Sequence, residues 1–104
     1  MIDGKTFKYG LFGVPLTHSL SPRIHNFVFE KENYNAAYHW FETQPRYFLK
    51  SAKLIIPGYL QGANITIPYK EKIIPLLTSI DQNAQAIGAV NTVKVENKKM
   101  YGFN

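Results

Sequence analysis

The sequence reads as an α/β domain, a three-layer α/β/α arrangement around a mostly parallel mixed sheet that ends in an antiparallel hairpin. Short runs of aromatic and β-branched residues alternate with longer stretches of helical apolar spacing. Prolines and glycines mark the switches between them. The last two runs flank Glu96-Asn97-Lys98, a hairpin signal. Strands alternating with helices imply a largely parallel sheet covered on both faces.

The elements follow in order. Phe7 to Val14 is an aromatic strand closed by Pro15. Ser21-Pro22 is a helix-start signal, since a serine hydroxyl can cap free N–H groups and proline at the first helical position needs no donor. That helix should run from about Pro22 to Glu32, with Ile24, Phe27, Val28 and the stem of Lys31 facing inward, until Asn33-Tyr34-Asn35 breaks it. Ala37 to Phe41 alternates as a second strand. A helix from about Pro45 to Ile56 follows, presenting Phe48, Leu49, Ala52 and Ile55, and Pro57-Gly58 disturbs its end. Gly62 opens a third strand, Ala63 to Ile67. The spacing then predicts a helix from Tyr69 to Leu77 interrupted near Pro75, and a short one from Thr78 to Ile87, with Thr78 and Asp81 in capping-box spacing. Asn91 to Val95 and Lys99 to Phe103 form the hairpin.

Composition narrows the function. At 104 residues the chain is one domain, or one domain of a longer protein. Twelve basic residues against seven acidic give a net charge of +5, but the lysines are scattered, with no run longer than two. A nucleic-acid face needs clustered Lys and Arg, so none is expected. With no cysteine there is neither a disulfide nor a thiolate metal site, and His18, His25 and His39 lack metal-ligand spacing. No apolar run approaches the roughly 20 residues of a membrane span, and no signal peptide is visible. The expectation is a soluble, cytoplasmic protein.

Three polar clusters sit where strands or helices end: Thr17-His18-Ser19-Leu20-Ser21-Pro22, Gly62 to Lys70, and Gly88-Ala89-Val90-Asn91-Thr92. Ligands of such sheets collect beyond the carboxyl ends of the strands. Ser19 and Ser21, two apart in an extended loop, would point the same way beside a helix N-terminus and could hold a carboxylate or ring hydroxyls. The alternative is that Ser21 caps the helix and Ser19 is a turn residue. Thr66 closes the third strand, where its residue type also fits plain β-propensity. Lys70 would sit at a helix start, its charge opposed to the helix dipole, an address that suits proton transfer; by composition alone it reads as an ordinary surface lysine. Asn91 could bind a hydroxyl through its amide or serve as a turn residue. Asn64 is read as a brace between strand and loop, and His25 as a packed or surface histidine.

In combination, Tyr9 to Pro15, Ser19 to Asn26, Gly62 to Lys70 and Gly88 to Thr92 closely resemble the shikimate dehydrogenase family, in order and spacing, from about Tyr9 to Asn104. The resemblance is to the N-terminal, substrate-binding domain, taken here as residues 1–104. It implies NADP-dependent reversible reduction of 3-dehydroshikimate to shikimate. It also implies that Ser19 and Ser21 bind the substrate carboxylate, that Thr66 and Asn91 contact the ring, and that Lys70 is the catalytic lysine. The family pairs that lysine with an aspartate in a Gly-x-Asn-Thr-Asp run, of which Gly102-Phe103-Asn104 is the beginning. No glycine-rich phosphate loop is present, so NADP would be bound by a C-terminal dinucleotide-binding domain absent from this chain. The chain alone is then expected to be inactive. A quinate/shikimate dehydrogenase, or a non-catalytic module binding a shikimate-like ligand, are the alternatives.

Overall fold

The computed structural model describes residues 2–16 and 19–104. The strands are β1 (Phe7–Gly13), β2 (Ala36–Glu42), β3 (Gly62–Ile65), β4 (Ser79–Ile80), β5 (Thr92–Glu96) and β6 (Lys99–Phe103), and they form one sheet in the order β2-β1-β3-β5-β6-β4. β1 pairs in parallel with β2 and β3, and β4 with β6; β5 is antiparallel to both β3 and β6. Only β5 therefore runs against the rest. Its amino end lies beside the carboxyl ends of β3 and β6, which brings Asn91 to the edge expected to hold ligand.

Helices α1 (Ser21–Lys31), α2 (Pro45–Tyr59) and α3 (Gln82–Ile87) complete three layers. One face of the sheet packs Phe12, Ala63, Ile65 and Val93 against Phe48, Ala52 and Ile56 of α2 and Ala84 of α3, all buried. α2 contributes Ile56 rather than Leu49, which is exposed, and continues through Pro57 to Tyr59. A proline this near a helix end removes a donor without a long ladder behind it.

The other face carries α1 over β1 and β2, with Leu11, Leu16 and Tyr38 as a small core and Tyr9 and Phe29 against it. Here the expected inner stripe is wrong. Ile24, Phe27 and Val28 face outward, and α1 buries no residue completely. Its roll is set by aromatic stacking and hydrogen bonding instead. His25 stacks on Tyr38 at 4.3 Å between ring centroids, and Phe29 packs tilted on Tyr9 at 5.9 Å. Asn26 accepts from the Tyr38 N–H at 2.8 Å and donates to its C=O at 3.0 Å. That carboxamide replaces a neighbouring strand at the outer edge of β2, which would otherwise offer unpaired groups.

The segment after β3 also departs from expectation. Tyr69 to Leu77 is a series of turns with one 3-10 turn at Ile74–Leu76, not an α-helix. Pro75 supplies no donor there, and the packing demand is met by burying Tyr69 and Ile73. From Thr78 onward the chain first joins the sheet, its Thr78 and Asp81 N–H groups bonding to the carbonyls of Met100 and Gly102 at 2.8 and 2.9 Å. Asp81 is itself the cap of α3, accepting from Ala84 N–H at 2.8 Å. Gly88 ends α3 in the left-handed region at φ 78°, which a side chain would resist, and turns the chain toward Asn91.

Candidate substrate site at the carboxyl edge of the sheet

Thr66 follows β3 directly. Its N–H bonds to the Phe12 carbonyl at 2.9 Å, so β3 and β1 stay paired to their last residues. The close approach needs Gly13: a Cβ there would lie 2.4 Å from Thr66 Cγ2 and 2.9 Å from the Ile67 carbonyl oxygen. The Ile67-Pro68 peptide is cis, and the Tyr69 N–H returns to the Thr66 carbonyl at 2.9 Å.

Lys70 is half-buried on this turn and makes no ion pair among the described residues. No regular helix starts there, so the helix-dipole argument for its position does not hold. Anchors on both sides replace it. Tyr69 is wholly buried, stacked on Phe48 at 3.9 Å between centroids, and its hydroxyl donates to the Thr43 carbonyl. The Lys70 carbonyl accepts from Val90 N–H at 2.8 Å. Lys70 is thus fixed to the loop that carries Asn91.

Asn91 donates its backbone N–H to Phe103 at 3.0 Å and accepts from Ile65 N–H at 2.9 Å, joining the ends of β6 and β3. Thr66, Lys70 and Asn91 therefore share one edge of the sheet. The serines approach from α1. The backbone at Leu20 is helical, so Ser19 to Ser21 is not the extended loop expected, and Ser21 is the first helical residue rather than the cap. Ser19 Oγ accepts from Ser21 N–H at 3.3 Å. The Ser21 hydroxyl lies on the side of the Tyr38 phenol. Burial pushes that phenol up to about 12, the serine hydroxyl acting in the opposite sense. Thr17 and His18 of the first polar cluster lie outside the described residues.

Tyr38 and Asn104 were missing from the residues singled out by sequence. Tyr38 alternates with its neighbours like any strand residue; only its nearly complete burial shows that its hydroxyl needs partners. Asn64 does brace strand and loop, accepting from Tyr38 Oη at 2.9 Å and donating to the Asn91 carbonyl at 3.3 Å. A groove of about 600 Å³ lies on the α1 side of the sheet between Tyr9, Phe29, Val95 and Phe103, with Tyr38, Asn64 and Thr92 also in its lining. It includes none of Ser19, Thr66, Lys70 and Asn91.

The family model for the shikimate dehydrogenase substrate binding domain matches residues 11–93. The chain belongs to this family. Among shikimate dehydrogenases, that of Aquifex aeolicus is 44% identical over the whole chain, which spans 39% of that relative's length. The crystal structure of shikimate dehydrogenase from the same organism superposes with a TM-score of 0.89 at 43% identity, covering all of this chain and 39% of that one. The Thermus thermophilus enzyme, crystallised with shikimate, gives a TM-score of 0.90 at 32% identity over 95% of this chain and 38% of its own. The chain thus spans about two-fifths of its relatives' length. No helix among the described residues is long and apolar enough to cross a membrane.

Proposed function

We propose that the full-length protein is a cytoplasmic, NADP-dependent shikimate dehydrogenase that reversibly reduces 3-dehydroshikimate to shikimate, with this domain holding the substrate. The observation that carries the reading is that Thr66, Lys70 and Asn91 meet at the carboxyl edge of the sheet in a chain of this family. In the T. thermophilus relative shikimate is bound, which supports the same ligand here.

The residues suit the reaction. A ketone that accepts hydride becomes an alkoxide. Lys70, as an ammonium, would stabilise that charge and deliver the proton; in the reverse direction it would take the proton from the hydroxyl. Ser19 and Ser21 would hold the carboxylate without a competing positive charge. A carboxylate is a charged and therefore stronger acceptor for these hydroxyls than a neutral group. Thr66 and Asn91 would orient the ring through its hydroxyls.

The dinucleotide does not fit this domain. The connection from β1 to α1, where a nucleotide-binding fold carries its glycine-rich phosphate loop, is residues 14–20 and holds no glycine and one proline, Pro15. NADP, which supplies the hydride when bound, would be held by a C-terminal dinucleotide-binding domain, and the aspartate partner of Lys70 would come from beyond Asn104.

The test is an assay of full-length protein with shikimate and quinate against NADP⁺ and NAD⁺. Oxidation of shikimate with NADP⁺ is expected. Preference for quinate would identify a quinate/shikimate dehydrogenase, and shikimate binding without oxidation would identify a binding module; either contradicts the proposal.

A further inference from the structure

The polar groups around Asn91 form a chain of hydrogen bonds whose direction is set from its two ends. Asn104 Nδ2 donates to the Ala89 carbonyl at 3.1 Å, and Asn64 Nδ2 to the Asn91 carbonyl at 3.3 Å. A backbone carbonyl only accepts, so both amides must turn nitrogen toward it. Asn104 therefore faces Asn91 with Oδ1, which accepts from Asn91 Nδ2 at 3.4 Å. Asn91 Oδ1 is left on the opposite side, where the Thr92 hydroxyl donates to it at 3.0 Å. With its proton so placed, Thr92 Oγ1 accepts from Asn64 Nδ2 at 3.3 Å. Asn64 Oδ1 in turn takes the Tyr38 proton at 2.9 Å. Tyr38 keeps that proton throughout the physiological range and so remains the donor to Asn64. Protons point one way along the whole chain, from Tyr38 to the Ala89 carbonyl.

A side-chain amide has two orientations half a turn apart, nearly equal in shape and opposite in polarity. For a group that binds a ring hydroxyl, the orientation decides whether a donor or an acceptor meets it. We propose that Thr92, supported by Asn64 and Tyr38, is a positioning residue that locks the Asn91 carboxamide in the orientation the substrate hydroxyls require. This rests on the reading of Asn91 as a substrate-binding residue. Thr92 itself is exposed on the first position of β5 and its hydroxyl serves this chain. Valine keeps its shape and branching there, so the hydroxyl can be removed with little strain.

The experiment measures KM and kcat for shikimate with NADP⁺ in full-length wild type, Thr92→Val, Thr92→Ser, Asn91→Ala and the double variant Asn91→Ala/Thr92→Val. Thr92→Val should raise KM by about threefold to tenfold, the scale of one neutral hydrogen bond, with kcat changing less. Thr92→Ser should restore a near-wild-type KM. In the Asn91→Ala background Thr92→Val should add nothing, because its effect passes through the amide. Tyr38→Phe, which retains the ring against His25, should shift KM in the same direction by less. A raised KM in Asn91→Ala beside an unchanged one in Thr92→Val overturns this inference alone. So does an equal cost of Thr92→Val in both backgrounds, or a serine variant as impaired as the valine. An unchanged KM in Asn91→Ala overturns the inference together with the reading of Asn91 beneath it.

Discussion

The two faces of the sheet are built on different principles. On the α2 side, Phe12, Phe48, Ile56, Ile65, Tyr69, Val90 and Val93 form a continuous apolar core, excluded from solvent. On the α1 side a helix with no fully buried residue is held by an aromatic stack and by two hydrogen bonds between Asn26 and the Tyr38 backbone, beside the polar chain through Tyr38 and Asn64. Apolar packing is strong but non-directional; hydrogen bonds contribute less and specify geometry. The division places most of the stability behind the sheet, and on the other face the directional contacts that aim side chains at the ligand edge.

Paired truncations separate the contributions of the two faces. Phe48→Ala should cost about 3–5 kcal/mol, because it empties a wholly buried ring site against Tyr69 and Phe12. Phe27→Ala, on a residue 63% exposed, should stay within about 0.5 kcal/mol. Urea unfolding of each variant measures the gap, and equal losses would remove the distinction between the faces. Gly13→Ala tests the junction between core and site. The added Cβ would press on Thr66 and the Ile67 carbonyl, which should cost about 1–3 kcal/mol and raise KM for shikimate by displacing Thr66. A variant with unchanged stability and KM would show that the two strand ends can separate freely.

The smallest effect is one of pH. The Tyr38 phenol is raised to about 12 by burial, against an ordinary value near 10. Its neutral form is therefore favoured in the folded protein, and the stability it contributes is complete below pH about 10. That stability declines as pH rises toward about 12, where the unfolded chain has already released the proton. Unfolding free energy should fall over this window, less steeply in Tyr38→Phe. Identical slopes would argue against a buried, hydrogen-bonded phenol.

The same division explains what could be read from sequence. Strands β1, β2 and β3, helix α2 and the final hairpin follow from apolar periodicity and proline placement, because hydrophobic burial decides them. The roll of α1 does not, since it depends on Asn26 and His25 meeting the backbone and ring of Tyr38, a strand twelve or more residues away. The stretch from Tyr69 to Asp81 has enough apolar residues for helices, yet Pro75 and the sheet bonds of Thr78 and Asp81 divert it. Ser19, Ser21, Thr66, Lys70 and Asn91 are visible because each lies where an element begins or ends. The chain that orients Asn91 is not, because it joins residues from four separate segments.

Lys70 is held on one side by buried Tyr69 and on the other by its bond to Val90. The most direct measurement is the kcat of full-length Lys70→Ala for shikimate with NADP⁺, alongside its thermal unfolding. A fall of about 100-fold or more with unfolding unchanged is the expected result, the scale of losing a general acid–base group. A kcat within a few-fold of wild type would contradict the account.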